Sequence, residues 1–256
     1  MVKRLLGLNQ LPDPSTVSRA LSSIDGMSIE RVRELCRKLV IERLKKIAIY
    51  RLTLDFDGSV LATLSHTTEG TAVGYNRKKK GVRSYYPLFC TLAQTGQVFD
   101  VYHRPGNVHD SHGAREFILA CIQILQQELP WVKIEVRMES AFFSDAIVSA
   151  LDGMGIEFTL SVPFERFVEL KKRVQDRARW RSMDETWSFF EVAWKPKKWK
   201  KVYRFLFIRQ RCPVIRKEPI QLDLFIPYEY GYEFKVIVTN KWASGKKTLM
   251  YHNGRA

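Results

Sequence analysis

Apolar and polar residues alternate along Arg51 to Val60, with Leu52, Leu54 and Phe56 on one face and Thr53, Asp55 and Asp57 on the other. A period of two predicts a half-buried strand. Ala72–Tyr75, Tyr85–Ala93 and Val98–His103 are further strands, with Gly96 turning the last pair into a hairpin. Asp110 or Ser111 caps a helix that runs to about Leu129, where Pro130 stops it. Val132, Ile134, Val136 and Met138 form another alternating strand. Ser144 caps a short helix ending at Gly153 or Gly155, and Ile156–Val162 is a strand again. Three or four strands followed by helix, strand, helix and strand predict an α/β fold, a mixed sheet with flanking helices.

The flanks read differently. Leu11-Pro12-Asp13-Pro14 is a turn. Ser15 starts a helix to Ser22 and Ser28 starts another over Ile29–Ile47, with Val32, Leu35, Leu39 and Leu44 at helical spacing. This piece, residues 1–48, is a DNA-binding arm or a helical pair packed on the core. Residues 49–162 form the core. Residues 163–234 form a basic, aromatic, mostly β insertion: a charged helix from Phe164 to Arg179, then strands over Trp187–Trp194 and Val202–Arg211. Residues 235–256 return to the core with a strand at Phe234–Thr239 and a helix starting near Ser244.

Charge sharpens this picture. Lys and Arg number 42 against 27 Asp and Glu, a net of +15. Ser161–Ile220 alone carries 17 cations and 7 anions, a net of +10. A solubilising surface explains the count but not the clustering, and a polyanion such as DNA or RNA explains both. The basic residues follow no single amphipathic helix, and no apolar run reaches the ~18 residues of a membrane span. No membrane partner and no secretory leader are expected, and a cytoplasmic location follows. Cys36, Cys90, Cys121 and Cys212 form no CxxC pair and read as buried free thiols.

Asp55 and Asp57 share one strand face, so two carboxylates sit close enough to demand protons, a cation or salt-bridge partners. A divalent metal is one answer, because Mg²⁺ prefers hard oxygen ligands and bridges to phosphate. Glu139 ends the strand Val132–Met138, where open α/β sheets place their sites. Asp145 reads instead as helix N-terminal stabilisation. Two cationic runs stand out: Arg77-Lys78-Lys79-Lys80 after Tyr75-Asn76, and Trp194-Lys195-Pro196-Lys197-Lys198-Trp199-Lys200-Lys201. Their lysines suit phosphates, and the indoles either stack on bases or pack beneath the cations. His103, His109 and His112 match no zinc spacing. There is no phosphate-binding GxxxxGK or GxGxxG loop.

In order along the chain, Leu54-Asp55-Phe56-Asp57-Gly58-Ser59, Gly74-Tyr75-Asn76-Arg77-Lys78-Lys79-Lys80-Gly81, Ser84-Tyr85-Tyr86-Pro87-Leu88, Arg104-Pro105-Gly106-Asn107-Val108-His109-Asp110, Arg137-Met138-Glu139-Ser140-Ala141-Phe142-Phe143, Val238-Thr239-Asn240 and His252-Asn253-Gly254-Arg255 resemble the DDE transposases of bacterial insertion sequences. The resemblance runs from about Leu11 to Ala256. It implies an RNase H-like core with a β insertion before the last catalytic helix. It also implies phosphodiester hydrolysis and strand transfer at transposon ends, two Mg²⁺ or Mn²⁺ ions, DNA as partner, a homodimer in a synaptic complex, and a nucleoid-associated bacterial location. Asp57, which precedes Gly-Ser where the family has Gly-Thr, takes the first metal-bridging position, with Asp55 supporting or sharing it. Glu139 takes the second. Arg104, Asn107, Tyr251 and Arg255 become DNA-backbone or site-positioning residues. Arg77, Lys78, Lys79, Lys80, Lys197, Lys198, Lys200 and Lys201 become DNA contacts.

Two departures from the family follow. It has Asp where this chain has Glu139, and the extra methylene moves the carboxylate by about 1.5 Å against a metal–metal spacing of ~3.5–4 Å. Its third acid falls about one helical turn after the position of Arg255, so the chain reads as truncated ahead of that acid. The resemblance therefore implies salt-dependent DNA binding with weak or no cleavage. A non-catalytic DNA-binding relic or regulator of a full-length transposase, another RNase H-like nuclease, and a protein-binding module stand as alternatives.

Overall fold

The computed structural model describes residues 10–74, 80–109, 111–211 and 232–254. The chain divides into two compact units, Met1–Lys46 and Ile47–Ala256. The first holds α1 (Pro14–Ser22) and α2 (Gly26–Lys46). The Asp13 carboxylate accepts from the Ser15 amide at 2.8 Å and Pro14 opens the helix, so one side-chain cap and one fixed φ start α1. Asp25 rather than Ser28 begins α2, its carboxylate accepting from the Ser28 amide at 2.7 Å. Val32, Leu35 and Leu39 of α2 are exposed.

The second unit is built on one large sheet. Its strands are β1 (Arg51–Gly58), β5 (Leu88–Leu92), β6 (Gln97–Tyr102), β7 (Lys133–Met138), β8 (Glu157–Ser161), β9 (Arg181–Ser182), β10 (Trp187–Trp194), β11 (Tyr203–Arg211) and β12 (Tyr232–Thr239). Their order is β6-β5-β1-β7-β8-β12-β11-β10-β9. The β6-β5-β1 meander is antiparallel, whereas β1, β7 and β8 run parallel. This is the RNase H-like arrangement. Beyond β8, strand β12 pairs antiparallel and brings β11, β10 and β9 with it. The basic, aromatic segment therefore extends the core sheet instead of forming a sheet of its own. The short strands β2 (Leu61–Ala62), β3 (Ala72–Val73) and β4 (Arg83–Tyr85) make a second sheet in the order β2-β4-β3.

Alternation fixes what each face meets. Leu52, Leu54 and Phe56 of β1 are fully buried, and Phe56 meets Phe117 of α3 (Ala114–Glu128) edge-on at 5.9 Å. Helix α4 (Asp145–Gly153) starts at Ser144, whose hydroxyl accepts from the Ile147 amide. The charged helix expected over Phe164–Arg179 is shorter, a 3-10 turn at Phe164–Arg166 and α5 at Val168–Gln175. The strand expected over Tyr85–Ala93 is broken at Pro87, which cannot donate to a ladder. On the opposite sheet face, α6 (Gly245–Asn253) packs Leu249 against Leu206, Ile208 and Ile237. Among the described residues no helix is long and apolar enough to cross a membrane.

Cys90 and Cys121 are buried, and burial pushes the Cys90 thiol well up, so it stays protonated and inert. Cys36 differs from expectation in being exposed, and Cys212 lies outside the described residues.

Candidate active site

The polar face of the sheet under α6 carries alternating charges from two adjacent strands. In the β1–β7 ladder Thr53 stands opposite Glu135 and Asp55 opposite Arg137. The last rung of the ladder is Phe56 opposite Met138. One residue further, Asp57 and Glu139 come next on neighbouring parallel strands, at the carboxyl ends where open sheets place their chemistry. Asp57 is exposed and Glu139 half-buried. One Asp57 oxygen accepts from the Gly58 amide at 2.9 Å.

Gly58 stands close under the Tyr86 side chain. A Cβ there would lie 2.8 Å from the Tyr86 ring and hydroxyl. Gly58→Ala is expected to push that ring aside and cost about 1–3 kcal/mol by overpacking. Urea unfolding of the variant against wild type measures it, and a change under about 0.5 kcal/mol, the range of an ordinary surface substitution, would show that the ring moves freely.

Asp55 does something else. Arg137 Nε donates to Oδ1 at 2.7 Å and Nη2 to Oδ2 at 2.6 Å, with both side chains largely buried. This bidentate pair engages both Asp55 oxygens, on the rung where Asp55 stands opposite Arg137, two residues before Asp57 and Glu139. The same Arg137 donates through Nη1 to the Tyr251 carbonyl at 2.7 Å. The Tyr251 ring packs on two cations: Arg137 lies 5.1 Å and the Lys241 ammonium 3.6 Å from its centroid. Burial drives its phenol pKa far up, which keeps it neutral.

Below these lies an ionic knot. Glu135, only 2% exposed, accepts from the Thr53 hydroxyl at 2.7 Å, Arg51 at 2.5 Å and Lys241 at 2.5 Å. Arg51 also reaches Glu157 at 2.8 Å, and Lys133 pairs with Glu157. Burial alone would raise the Glu157 pKa, but the bonds from Lys133 and Arg51 win and hold it at about 2. A carboxyl with a folded-state pKa below its unfolded value of about 4.3 contributes stability at higher pH. That contribution is fully present above the unfolded value and is lost as pH falls toward about 2. Unfolding free energy measured from about pH 6 down to about pH 2.5 is expected to fall less steeply for Glu157→Gln than for wild type, and parallel curves would contradict it.

Sequence-expected residues divide into groups. Arg104 is 2% exposed and does not reach the surface. Its guanidinium donates to the carbonyls of Tyr86 (3.0 Å), His109 (3.2 Å) and His112 (2.8 Å) and stacks on Tyr86 and Tyr102. Burial commits this guanidinium to these backbone carbonyls. Asn107 is exposed, beside Gly106, whose amide donates to the Ser84 carbonyl at 2.8 Å and where a Cβ would lie 2.2 Å from the Ser84 hydroxyl. Lys80, Lys197, Lys198, Lys200 and Lys201 are exposed, with Lys201 paired to Asp152 at 2.5 Å. Trp194 and Trp199 are buried, Trp199 stacked on Phe143 at 4.8 Å. They anchor the basic hairpin from below and offer no face to a base. His103 leans on Tyr85 at 4.5 Å and His109 bonds Ser111 at 2.9 Å. Arg77, Lys78, Lys79, Asp110 and Arg255 lie outside the described residues.

Sequence reasoning misses Arg137, Glu135, Glu157 and Lys241. The signal is present all the same: Lys133, Glu135, Arg137 and Glu139 repeat at period two behind an apolar face, which marks a charged stripe facing a second charged strand.

Paired carboxylates at the ends of parallel strands are hard oxygen donors. Mg²⁺ is commonly held by one or two carboxylates with phosphates and water completing the shell. The donor set here fits such an ion, although among the described residues no three His, Cys, Asp or Glu groups converge.

The site lies on an RNase H-like sheet, with acids at the ends of its first two parallel strands. The family model described as Transposase DDE domain group 1 matches residues 2–221, and the chain belongs to that family. No curated protein sequence matches it. Among solved structures it is similar to a piggyBac transposase synaptic complex with hairpin DNA, at 13% identity and a TM-score of 0.45 over 79% of this chain and 37% of that one. It is also similar to a Mos1 transposase paired-end complex with left transposon end (13%, TM-score 0.32, 61% and 48%). A third is the catalytic domain of Mos1 mariner transposase (12%, TM-score 0.29, 63% and 78%). The chain thus spans less than half the length of the first two.

Proposed function

We propose that this chain is a DDE-type DNA transposase acting at transposon ends, weak in cleavage as it stands, with Asp57 and Glu139 as the carboxylates of its metal site. The observation that supports the reading is the β1–β7 register, whose last pair, Phe56 opposite Met138, directly precedes both acids. Bound Mg²⁺ or Mn²⁺ would supply Lewis-acid activation of a water or 3′-hydroxyl and stabilise the leaving oxygen. The chain's own part is to hold two oxygen donors at a fixed separation beside the phosphodiester. The Asp55–Arg137 pair supports them from below. Lys80, Lys197, Lys198 and Lys200 present cations to the phosphate backbone, and a homodimer holds two DNA ends together.

The test uses supercoiled plasmid with Mn²⁺. Nicking above background, abolished by chelation and by Asp57→Asn, is expected. Replacing Lys197, Lys198 and Lys200 together by Gln should weaken DNA binding and lower its salt slope by up to about 3 × 0.9. Nicking unchanged by Asp57→Asn would overturn the site, and an unchanged slope would overturn the DNA surface.

A further inference from the structure

Arg137 joins three elements with one guanidinium. Its Nε and Nη2 hold Asp55 on β1, its own backbone lies in β7, and its Nη1 holds the Tyr251 carbonyl in the last turn of α6. Asp55 stands two residues before Asp57, and Arg137 two residues before Glu139, on the same polar face. The ion pair is thus the rung directly beneath the two acids. The helix is held from its other side as well. Lys241, just after the end of β12, sits over the Tyr251 ring while pairing with Glu135, and His252 is buried with Nε2 3.0 Å from the Ser161 hydroxyl. A Cβ on Gly254 would approach Arg137 Nη1 at 3.1 Å, so the backbone after α6 runs close against the same guanidinium.

We propose that Arg137 is a positioning residue that sets the separation of the Asp57 and Glu139 carboxylates and fixes the carboxyl end of α6 beside them. This rests on the metal-site reading of those two acids. A planar fork suits such a role. Two parallel N–H bonds fix the angle between β1 and β7 side chains, and the remaining donor reaches a third element. Lysine, a point charge, supplies the attraction without the geometry. Partners that orient ligand groups in this way typically change metal affinity or activity about 10–100-fold when replaced.

Two variants separate positioning from stability. Asp55→Val/Arg137→Met removes the ions at similar volume, an exchange that is often neutral or stabilising for folding. Arg137→Lys keeps the charge. Mn²⁺ affinity is read by electron paramagnetic resonance in the presence of a DNA duplex, and hydrogen exchange is read at the amides of residues 250–254. Expected are a loss of Mn²⁺ affinity of about 10–100-fold in the double variant, a smaller loss in Arg137→Lys, and faster exchange in both, at melting temperatures near wild type. Wild-type affinity and wild-type exchange in either folded variant would overturn the proposal. So would a double variant that does not fold alongside an Arg137→Lys that binds as wild type does. If wild type itself binds no Mn²⁺ that Asp57→Asn removes, the metal-site reading fails instead, while the exchange measurement still reports on the clamp.

Discussion

Glu139→Asp is expected to raise the rate of Mn²⁺-dependent plasmid nicking by about 100-fold. Asp57 and Glu139 follow the last rung of a parallel ladder, so equal side-chain lengths would set their carboxylates level across the two strands. Glutamate carries its oxygens about 1.5 Å further from the backbone, and a misplacement near 1 Å costs ~100-fold in rate. The substitution shortens a half-buried side chain in a loop start, where the 3-10 turn Ser140–Phe142 follows, so the fold is expected to tolerate it. Initial nicking rates for the two proteins at matched DNA affinity measure the effect. A rate equal to or below that of the parent would mean that glutamate's longer reach already suits this site.

Glu135→Ala is expected to destabilise the protein by about 3–5 kcal/mol, the cost of removing one partner from a buried ionic group. Glu135 is 2% exposed and receives Thr53, Arg51 and Lys241. Arg51 keeps Glu157 after the change and remains partly in water. Lys241 is the group that suffers: its side chain is 10% exposed, and its other carboxylate contact, Glu157, stands 3.6 Å away. Its ammonium would be left chiefly with the face of Tyr251, a weaker partner than a carboxylate at 2.5 Å. Urea denaturation measures the loss, and Lys241→Met in the same background should recover part of it by removing the stranded charge. A loss below about 1 kcal/mol, no more than an exposed pair contributes, would show that Arg51 and Lys133 rearrange to satisfy the knot.

The core strands are legible in the sequence because period-two patterning is strong there: the pattern places Trp187–Trp194 to the residue, and β1 and β7 to within two. Helix starts are less so. Gly113, with a φ of 66°, precedes α3 without a side-chain cap, although Asp110 and Ser111 look like caps. Spacing and strand ends point to Asp57 and Glu139, but their pairing needs the register, which no local pattern encodes. The role of Asp55 is open in sequence because its partner is 82 residues away. Arg104 and Tyr251, DNA-backbone or site-positioning residues by resemblance, have surroundings that no local pattern encodes: Arg104 is buried against carbonyls and the Tyr251 ring packs on cations. The two indoles of the basic hairpin read both ways, and packing against Phe143 and Phe205 selects the inward one.

The most direct measurement is the free Mn²⁺ signal by electron paramagnetic resonance, titrated with wild type and with Asp57→Asn/Glu139→Gln in the presence of a DNA duplex. Wild type should deplete the signal and the double variant should leave it at the level of DNA alone. Equal depletion by both proteins would contradict a metal site at Asp57 and Glu139.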